Sequence, residues 1–228
     1  MPLYRIADLT VAMEPQGRTR RLAQAYITDA ATAPDVTIEV DRQKLKQRFP
    51  ALTESYGEYL QSGEQFYMAL AEHCGMMLHA SSVAVDGKAY LFTGPCGTGK
   101  STHTGLWLRY LGDRAHILND DKPAVRLNGG RLYAYGTPWS GKHGRNSNEC
   151  VPLQAICVLH QAKENTIQKM PPERAMAALM EQTTRKIPAS AMEKLLDVLD
   201  AIVRADCMYE MGCNMDISAA ELAYNTMR

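Results

Sequence analysis

The stretch that most restricts what this chain can become is GPCGTGKST at 94–102, entered directly from the apolar run AYLFT at 89–93. The spacing Gly94-x-x-x-x-Gly99-Lys100-Ser101 fits G-x-x-x-x-G-K-[ST], the Walker A pattern of a phosphate loop. Glycines at such spacing let the backbone curl until successive N–H groups point inward at phosphate oxygens. Lys100 then reaches the outer phosphates, the Ser101 hydroxyl is suited to Mg²⁺, and a helix starting near Gly99 adds its positive end. The loop made of Gly94, Pro95, Cys96, Gly97, Thr98, Gly99, Lys100, Ser101 and Thr102 is therefore expected to hold the polyphosphate of ATP. Cys96 occupies a variable position and reads as a permissive small residue in preference to a redox switch.

The bulk of the chain agrees with local, not global, anion binding. Among 228 residues, Lys+Arg and Asp+Glu each total 25, so there is no basic field to attract nucleic acid or an anionic membrane. The opening MPLYRIADLTVAMEP carries Arg5, Asp8 and Glu14 where a signal peptide needs an apolar core, and no run approaches a membrane span. The six cysteines (74, 96, 150, 157, 207, 213) form no C-x-x-C pair, which predicts reduced, mostly buried thiols in a cytoplasmic protein.

The length allows one large domain, and the whole chain, 1–228, is expected to form a single kinase domain in three parts. A strand-rich part covers about 1–60, where YRIADLTVAM and VTIEV partly alternate. SGEQFYMALAEHCG reads as a helix opened by a Ser62–Gln65 capping box. A phosphate-loop core covers about 76–160. Within it MLHASSVAV and KAYLFT flank Asp86-Gly87, a two-residue hairpin signal, so the loop strand is entered through an antiparallel hairpin. STHTGLWLRYLG is a helix stopping at Gly112, AHIL a buried strand, AVRLNGGRLYAY a second hairpin and QAICVL a core strand. The third part, about 172–228, holds helices over PPERAMAALMEQ and SAMEKLLDVLDAIVRA, the latter with a Ser190–Glu193 box and the stripe Met192, Leu195, Leu196, Leu199, Ile202, Val203. CMYEM is a late strand, and Ser218–Glu221 caps a final helix.

Phosphoryl transfer also needs a carboxylate for the metal and a group for the acceptor's proton. Asn119-Asp120-Asp121 follows a buried strand about twenty residues beyond Lys100, where a metal-binding aspartate is expected. The two aspartates divide the labour, and like charges side by side call for a compensating cation such as Mg²⁺.

HASSVAVDGKAYLFTGPCGTGKST followed by ILNDD resembles the core of the HPr kinase/phosphorylase family, shared more distantly with ATP-dependent phosphoenolpyruvate carboxykinases. The resemblance covers roughly 76–160 and implies an α/β fold: a P-loop nucleotide-binding core of that type, with a mixed β-sheet and a hairpin before the loop. It implies that His79 is the motif histidine, that Lys100 and Ser101 are the loop pair, and that Asp121 with Ser101 holds the metal while Asp120, near His79, acts as base. It further implies a flexible glycine- and arginine-containing loop, matched loosely by Gly136–Arg145, on which Lys142, His143 and Arg145 cluster. Lys142 or Arg145 would neutralise transition-state charge, and Trp139 would either pack beneath that loop or line an acceptor pocket. The chain is too short for a whole phosphoenolpyruvate carboxykinase and is expected to lack the separate N-terminal domain of full HPr kinases.

The expected activity is an ATP- and Mg²⁺-dependent phosphotransferase with an alcohol acceptor: a serine of a small protein or peptide, or a serine-like or polyol small molecule. The alternative is a nucleotide-sensing module without catalysis. Reversal by phosphorolysis, base preference and homo-oligomerisation are left open.

Overall fold

The chain reverses within its first residues: Ala7 and Asp8 both have positive φ, 50° and 60°. They close an antiparallel hairpin of β1 (Leu3–Ile6) and β2 (Leu9–Met13) in the computed structural model, which describes residues 1–183 and 187–228. After α1 (Gly17–Leu22), β3 (Val36–Ile38) adds parallel to β2 and completes a small three-stranded sheet. Then come α2 (Arg42–Arg48), capped by the Asp41 carboxylate, and α3 (Glu54–Ala71), capped by the Thr53 hydroxyl.

The first sixty residues are thus less strand-rich than expected. GRTRRL and RQKLKQR are short charged helices, and RQKLKQR buries a single side chain, Leu45, too few for a helical period to show. Nor does Ser62–Gln65 open a helix. Ser62 lies buried inside α3, donating to the Tyr59 carbonyl (3.2 Å) and accepting from Trp139 Nε1 (3.1 Å). Gln65 exchanges two hydrogen bonds with the backbone of Glu39.

The main sheet begins with β4 (Gly75–Met77), β5 (Ala80–Val85) and β6 (Lys88–Thr93). As expected, Asp86 (φ 49°) and Gly87 (φ 74°) turn the β5–β6 hairpin. The glycine-rich stretch 94–99 leads into α4 (Lys100–Leu111), which stops at Gly112, followed by β7 (Ala115–Asn119). A second hairpin, β8 (Ala124–Asn128) to β9 (Arg131–Tyr135), turns at Gly129-Gly130. β10 (Cys150–Gln161) is twice as long as QAICVL, and β11 (Thr166–Lys169) is an addition to the expected set. α5 (Pro172–Gln182), α6 (Ala189–Arg204), β12 (Met208–Cys213) and α7 (Ile217–Met227) complete the chain. The sheet has nine strands in the order β4-β8-β9-β10-β6-β5-β7, with β12 on β10 and β11 on β12. It is mixed: β6 runs parallel to β10 and antiparallel to β5.

Alternation along the central strands loads both faces. Ala89 and Leu91 of β6, with Ile156 and Val158 of β10, join a core with α3, α5, α6 and the small N-terminal sheet. Tyr90 and Phe92, with Ala155, Cys157 and Leu159, join a second core under α4 and α7. α6 buries Leu195, Val198, Leu199 and Ile202, whereas Leu196 of the expected stripe faces out. The expected C-terminal boxes differ as well. The Ser190 hydroxyl bonds Glu72 (2.6 Å) instead of capping α6, and α7 is capped by the Asp216 carboxylate accepting from the Ser218 amide. All six cysteines are free; Cys157, Cys207 and Cys213 are buried, Cys74 is half-buried, and Cys96 and Cys150 are exposed. Among the described residues no helix is long and apolar enough to cross a membrane.

Beneath α4, His103 is buried against Phe92 with ring centroids 4.6 Å apart, and its Nε2 accepts from Trp107 Nε1 at 3.1 Å. Burial pushes this imidazole down to about 4, so it folds uncharged. The unfolded histidine takes up a proton first as pH falls, so its share of stability is complete above about 6.5 and lost on acidification toward 4. At pH 5 the loss is about 2 kcal/mol. Thermal melts at pH 7.5 and 5 should show this drop in the wild type and a smaller one in His103→Gln; equal drops would mean that His103 is not the group responsible.

Candidate functional site

The glycine-rich segment 94–102 is shaped by three glycines in conformations that a side chain resists: Gly94 (φ 141°), Gly97 (φ 84°) and Gly99 (φ 94°). A Cβ at Gly94 would stand 2.9 Å from the Leu159 carbonyl of β10, so the loop starts in close backbone contact with the sheet. At its far end Gly99 leads into α4 with no side-chain cap. The first-turn amides of Lys100, Ser101 and Thr102 therefore face the loop's concavity at a positive helix end. Lys100 Nζ folds back on the carbonyls of Gly94 (2.8 Å) and Pro95 (3.1 Å), and burial lowers its pKa. Thr98 bonds the Pro95 carbonyl, and Gln161 at the end of β10 bonds that of Gly97.

The acidic pair sits where β7 ends, and Asn119 shapes the turn. Its Oδ1 accepts from the amides of Asp121 (2.9 Å) and Lys122 (2.8 Å), while its Nδ2 donates to the Thr137 carbonyl and hydroxyl. Asp120 and Asp121 then point to different neighbours. Asp120 is buried and accepts from Ser81 Oγ at 2.6 Å; Ser81 is in turn 2.8 Å from Thr104 Oγ1 on α4, one turn beyond Ser101. Asp121 lies 3.6 Å from His79 Nε2 and 3.3 Å from Lys122 Nζ. The carboxylate against the imidazole is thus that of Asp121, not of Asp120 as the resemblance implied. Burial first, then the nearby charges of Lys122 and Lys100, pushes His79 down to about 4 against the opposing pull of Asp121. His79 is neutral at pH 7.

Two cavities meet at this point. One, of about 370 Å³, is bounded by Cys96, Gly97 and Gly99–Thr102 on one side and by His79, Ser81, Asp120 and Asp121 on the other. The other, of about 450 Å³, is walled by Tyr59, Tyr67, Met77 and Trp139, and reaches His79, Asp121 and Lys122. His79 and Asp121 belong to both, Asp120 to the first alone.

The basic loop behaves otherwise than expected. The side chains of Lys142, His143 and Arg145 are exposed, and among the described residues lining the two cavities none of the three is found. What the loop supplies is backbone: the Arg145 carbonyl accepts from the Asp120 amide (3.1 Å), and the Gly141 amide donates to the Tyr59 hydroxyl (3.0 Å). Arg18 of α1 donates to the Gly141 carbonyl and stacks over the Tyr59 ring at 4.6 Å. Trp139 is buried, stacks on Phe66 (4.8 Å) and walls the second cavity. Residues the sequence reading passed over are Ser81, Thr104, Asn119, Tyr59 and Lys122. Lys122 stood beside the acidic pair in Asn-Asp-Asp-Lys and was legible; the others depend on strand pairing and packing.

The donor set fits Mg²⁺ rather than a metal held wholly by protein. Among the described residues no three His, Cys, Asp or Glu side chains surround a common point. One buried carboxylate, Asp120, and the exposed Ser101 hydroxyl border the same cavity. Mg²⁺ takes most of its octahedral ligands from water and phosphate and needs only one or two carboxylates.

A family model described as SynChlorMet cassette protein ScmC matches residues 58–215, well over half of the chain, and this segment contains every cavity residue named above. No curated protein matches. Among solved structures, the HPr(Ser) kinase/phosphatase from Coxiella burnetii is similar at 12% identity with a TM-score of 0.31, over 42% of this chain and 78% of that one.

Because Asn119 holds both ends of the acidic turn, Asn119→Ala should lower stability by about 3 kcal/mol through its buried, unsatisfied partners. Thermal melts check this, and a variant with wild-type melting would remove Asn119 from that role.

Proposed function

This chain belongs to the ScmC family, and we propose that it is an ATP- and Mg²⁺-dependent kinase that transfers the γ-phosphoryl group to a hydroxyl, with residues 1–228 acting as one kinase domain. The observation that carries this reading is the wall shared by the two cavities. A polyphosphate held by the Gly94–Thr102 loop and a hydroxyl compound in the aromatic cavity would meet across His79 and Asp121. In-line transfer needs this juxtaposition, and a purely nucleotide-sensing module has no use for the second cavity.

The roles follow from the neighbours of each group. The first-turn amides of α4 and Lys100 bind the phosphates, Lys100 leaving the loop carbonyls it now occupies. Asp120 and Ser101 hold Mg²⁺, with Ser81 and Thr104 fixing the Asp120 carboxylate against α4. When bound, Mg²⁺ supplies charge neutralisation on the transferring phosphates. Asp121, exposed to both cavities, takes the proton of the attacking hydroxyl. His79, neutral, borders the carboxylate without adding charge, and Lys122 takes the neutralising part first assigned to Lys142 or Arg145. This reverses the division of labour between the aspartates that the resemblance implied.

Asp121→Asn should reduce transfer by about 10²–10⁴-fold while Mg·ATP affinity stays within about twofold. Asp120→Asn should instead weaken the Mg²⁺-dependent part of nucleotide binding. The measurement is calorimetric titration beside transfer of labelled phosphate. The opposite pattern would restore Asp120 as base, and wild-type transfer in both variants would sink the reading.

A further inference from the structure

The acceptor cavity does not end at its rim. Leu60 and Glu64 of α3 line it and also line a hollow of about 400 Å³ between α2 and α3. That hollow shares Leu45, Phe49, Leu52 and Gly57 with a further one of about 270 Å³. The three form one groove leading from Asp121 across α3 to α2. Its surface carries exposed apolar side chains: Phe49 and Leu60 are 42% and 45% exposed. α2 seats closely at Gly57, where a Cβ would stand 2.7 Å from Leu45 Cδ2, so the floor is formed by packed helices. Of the cations on α2, Arg42 pairs with Glu58 and Lys44 with Asp41, while Lys46 and Arg48 line the hollows, the Arg48 guanidinium 5.1 Å over the Phe49 ring. Glu54 and Glu64 line them too, so the basic edge is that of Lys46 and Arg48. α2 also lies outside the segment that the family model matches.

We propose that this α2–α3 groove docks the polypeptide of the phosphoryl acceptor, seating an apolar side chain near Phe49 and Leu60 with an acidic residue beside Lys46 and Arg48. The assignment rests on the kinase reading above. Continuity with the acceptor cavity fixes one end of the peptide and the basic edge fixes its charge. The spacing follows from geometry: Gly57 to Glu64 is about two helical turns, ~10 Å, which about three residues of extended chain span. The apolar anchor therefore lies about three to five residues from the phosphorylated hydroxyl.

The test uses the full chain, Mg·ATP labelled at the γ-phosphate, and degenerate peptides centred on serine or threonine. Labelled peptides should be enriched in Leu, Ile or Phe with Asp or Glu, about three to five residues to one side of the hydroxyl. For a selected peptide, Phe49→Ser and Arg48→Glu should each raise KM about tenfold with kcat within about twofold, since neither side chain borders the reacting groups. Both positions are exposed, so the fold tolerates the changes. Labelling without positional preference, or unchanged KM in both variants, overturns the proposal. So does transfer confined to free serine or glycerol with intact Mg·ATP binding, which would leave the kinase reading standing. Absence of Mg·ATP binding overturns both.

Discussion

The site depends on the register of three strands. β5 runs antiparallel to β6 on one side and to β7 on the other, with Ala80 opposite Thr93 and Ser82 opposite Asn119. Its beginning therefore lies beside the ends of both neighbours. That places His79 next to the glycine-rich loop that leaves β6 and the acidic pair that leaves β7, and the Thr93 hydroxyl bonds the His79 carbonyl at 2.9 Å. Because side chains alternate across a sheet, a slip of one residue would turn Ser81 away from Asp120 and send every side chain of the strand to the opposite face. β5 is buried on both faces, so such a slip would push Val83 and Val85 into the core that now holds Ala80 and Ala84, overpacking one side and leaving voids on the other.

Most polar groups buried in this region are joined to one another, Ser140 Oγ being an exception, which is why they can sit in an apolar core. Ser81, Thr104 and Asp120 form one chain of hydrogen bonds, and Asn119 with Thr137 forms another. A second Thr137 bond reaches the Lys122 carbonyl at 2.7 Å, and Asn146 donates to the Thr137 carbonyl. Networks of this kind are stable when complete and costly when one member is removed. They also make the acidic turn rigid before any ligand arrives, so Asp120 and Asp121 need little ordering on binding.

Local features were legible in the sequence because their physics is local. The loop at 94–102, the Asp86-Gly87 and Gly129-Gly130 turns and the Gly112 stop each follow from backbone conformations that few residues adopt. Helix starts were read less well, because Ser62, Ser190 and Ser218 have capping chemistry but other work: a buried contact to Trp139, a bond to Glu72 and a place inside the Asp216 turn. α1 and α2 carry too little buried surface for a period to emerge. The orientation of the two aspartates was beyond reach for a different reason. Adjacent residues point apart, and which one meets His79 is decided by strands paired some forty residues earlier in the chain. The basic loop misled because charge on a glycine-rich segment says nothing about where its side chains turn.

Trp139 has a consequence for how this protein can change over generations. Its ring walls the aromatic cavity, stacks on Phe66, and lies so close to Gly63 that a methyl there would come within 2.9 Å of it. The surface that lines the cavity is therefore the same surface that fastens α3 to the segment behind the acidic turn. Selectivity cannot drift there by trimming or enlarging that ring without loosening the scaffold. Diversification among descendants is channelled instead to the opposite, solvent-facing rim, at positions such as Leu60.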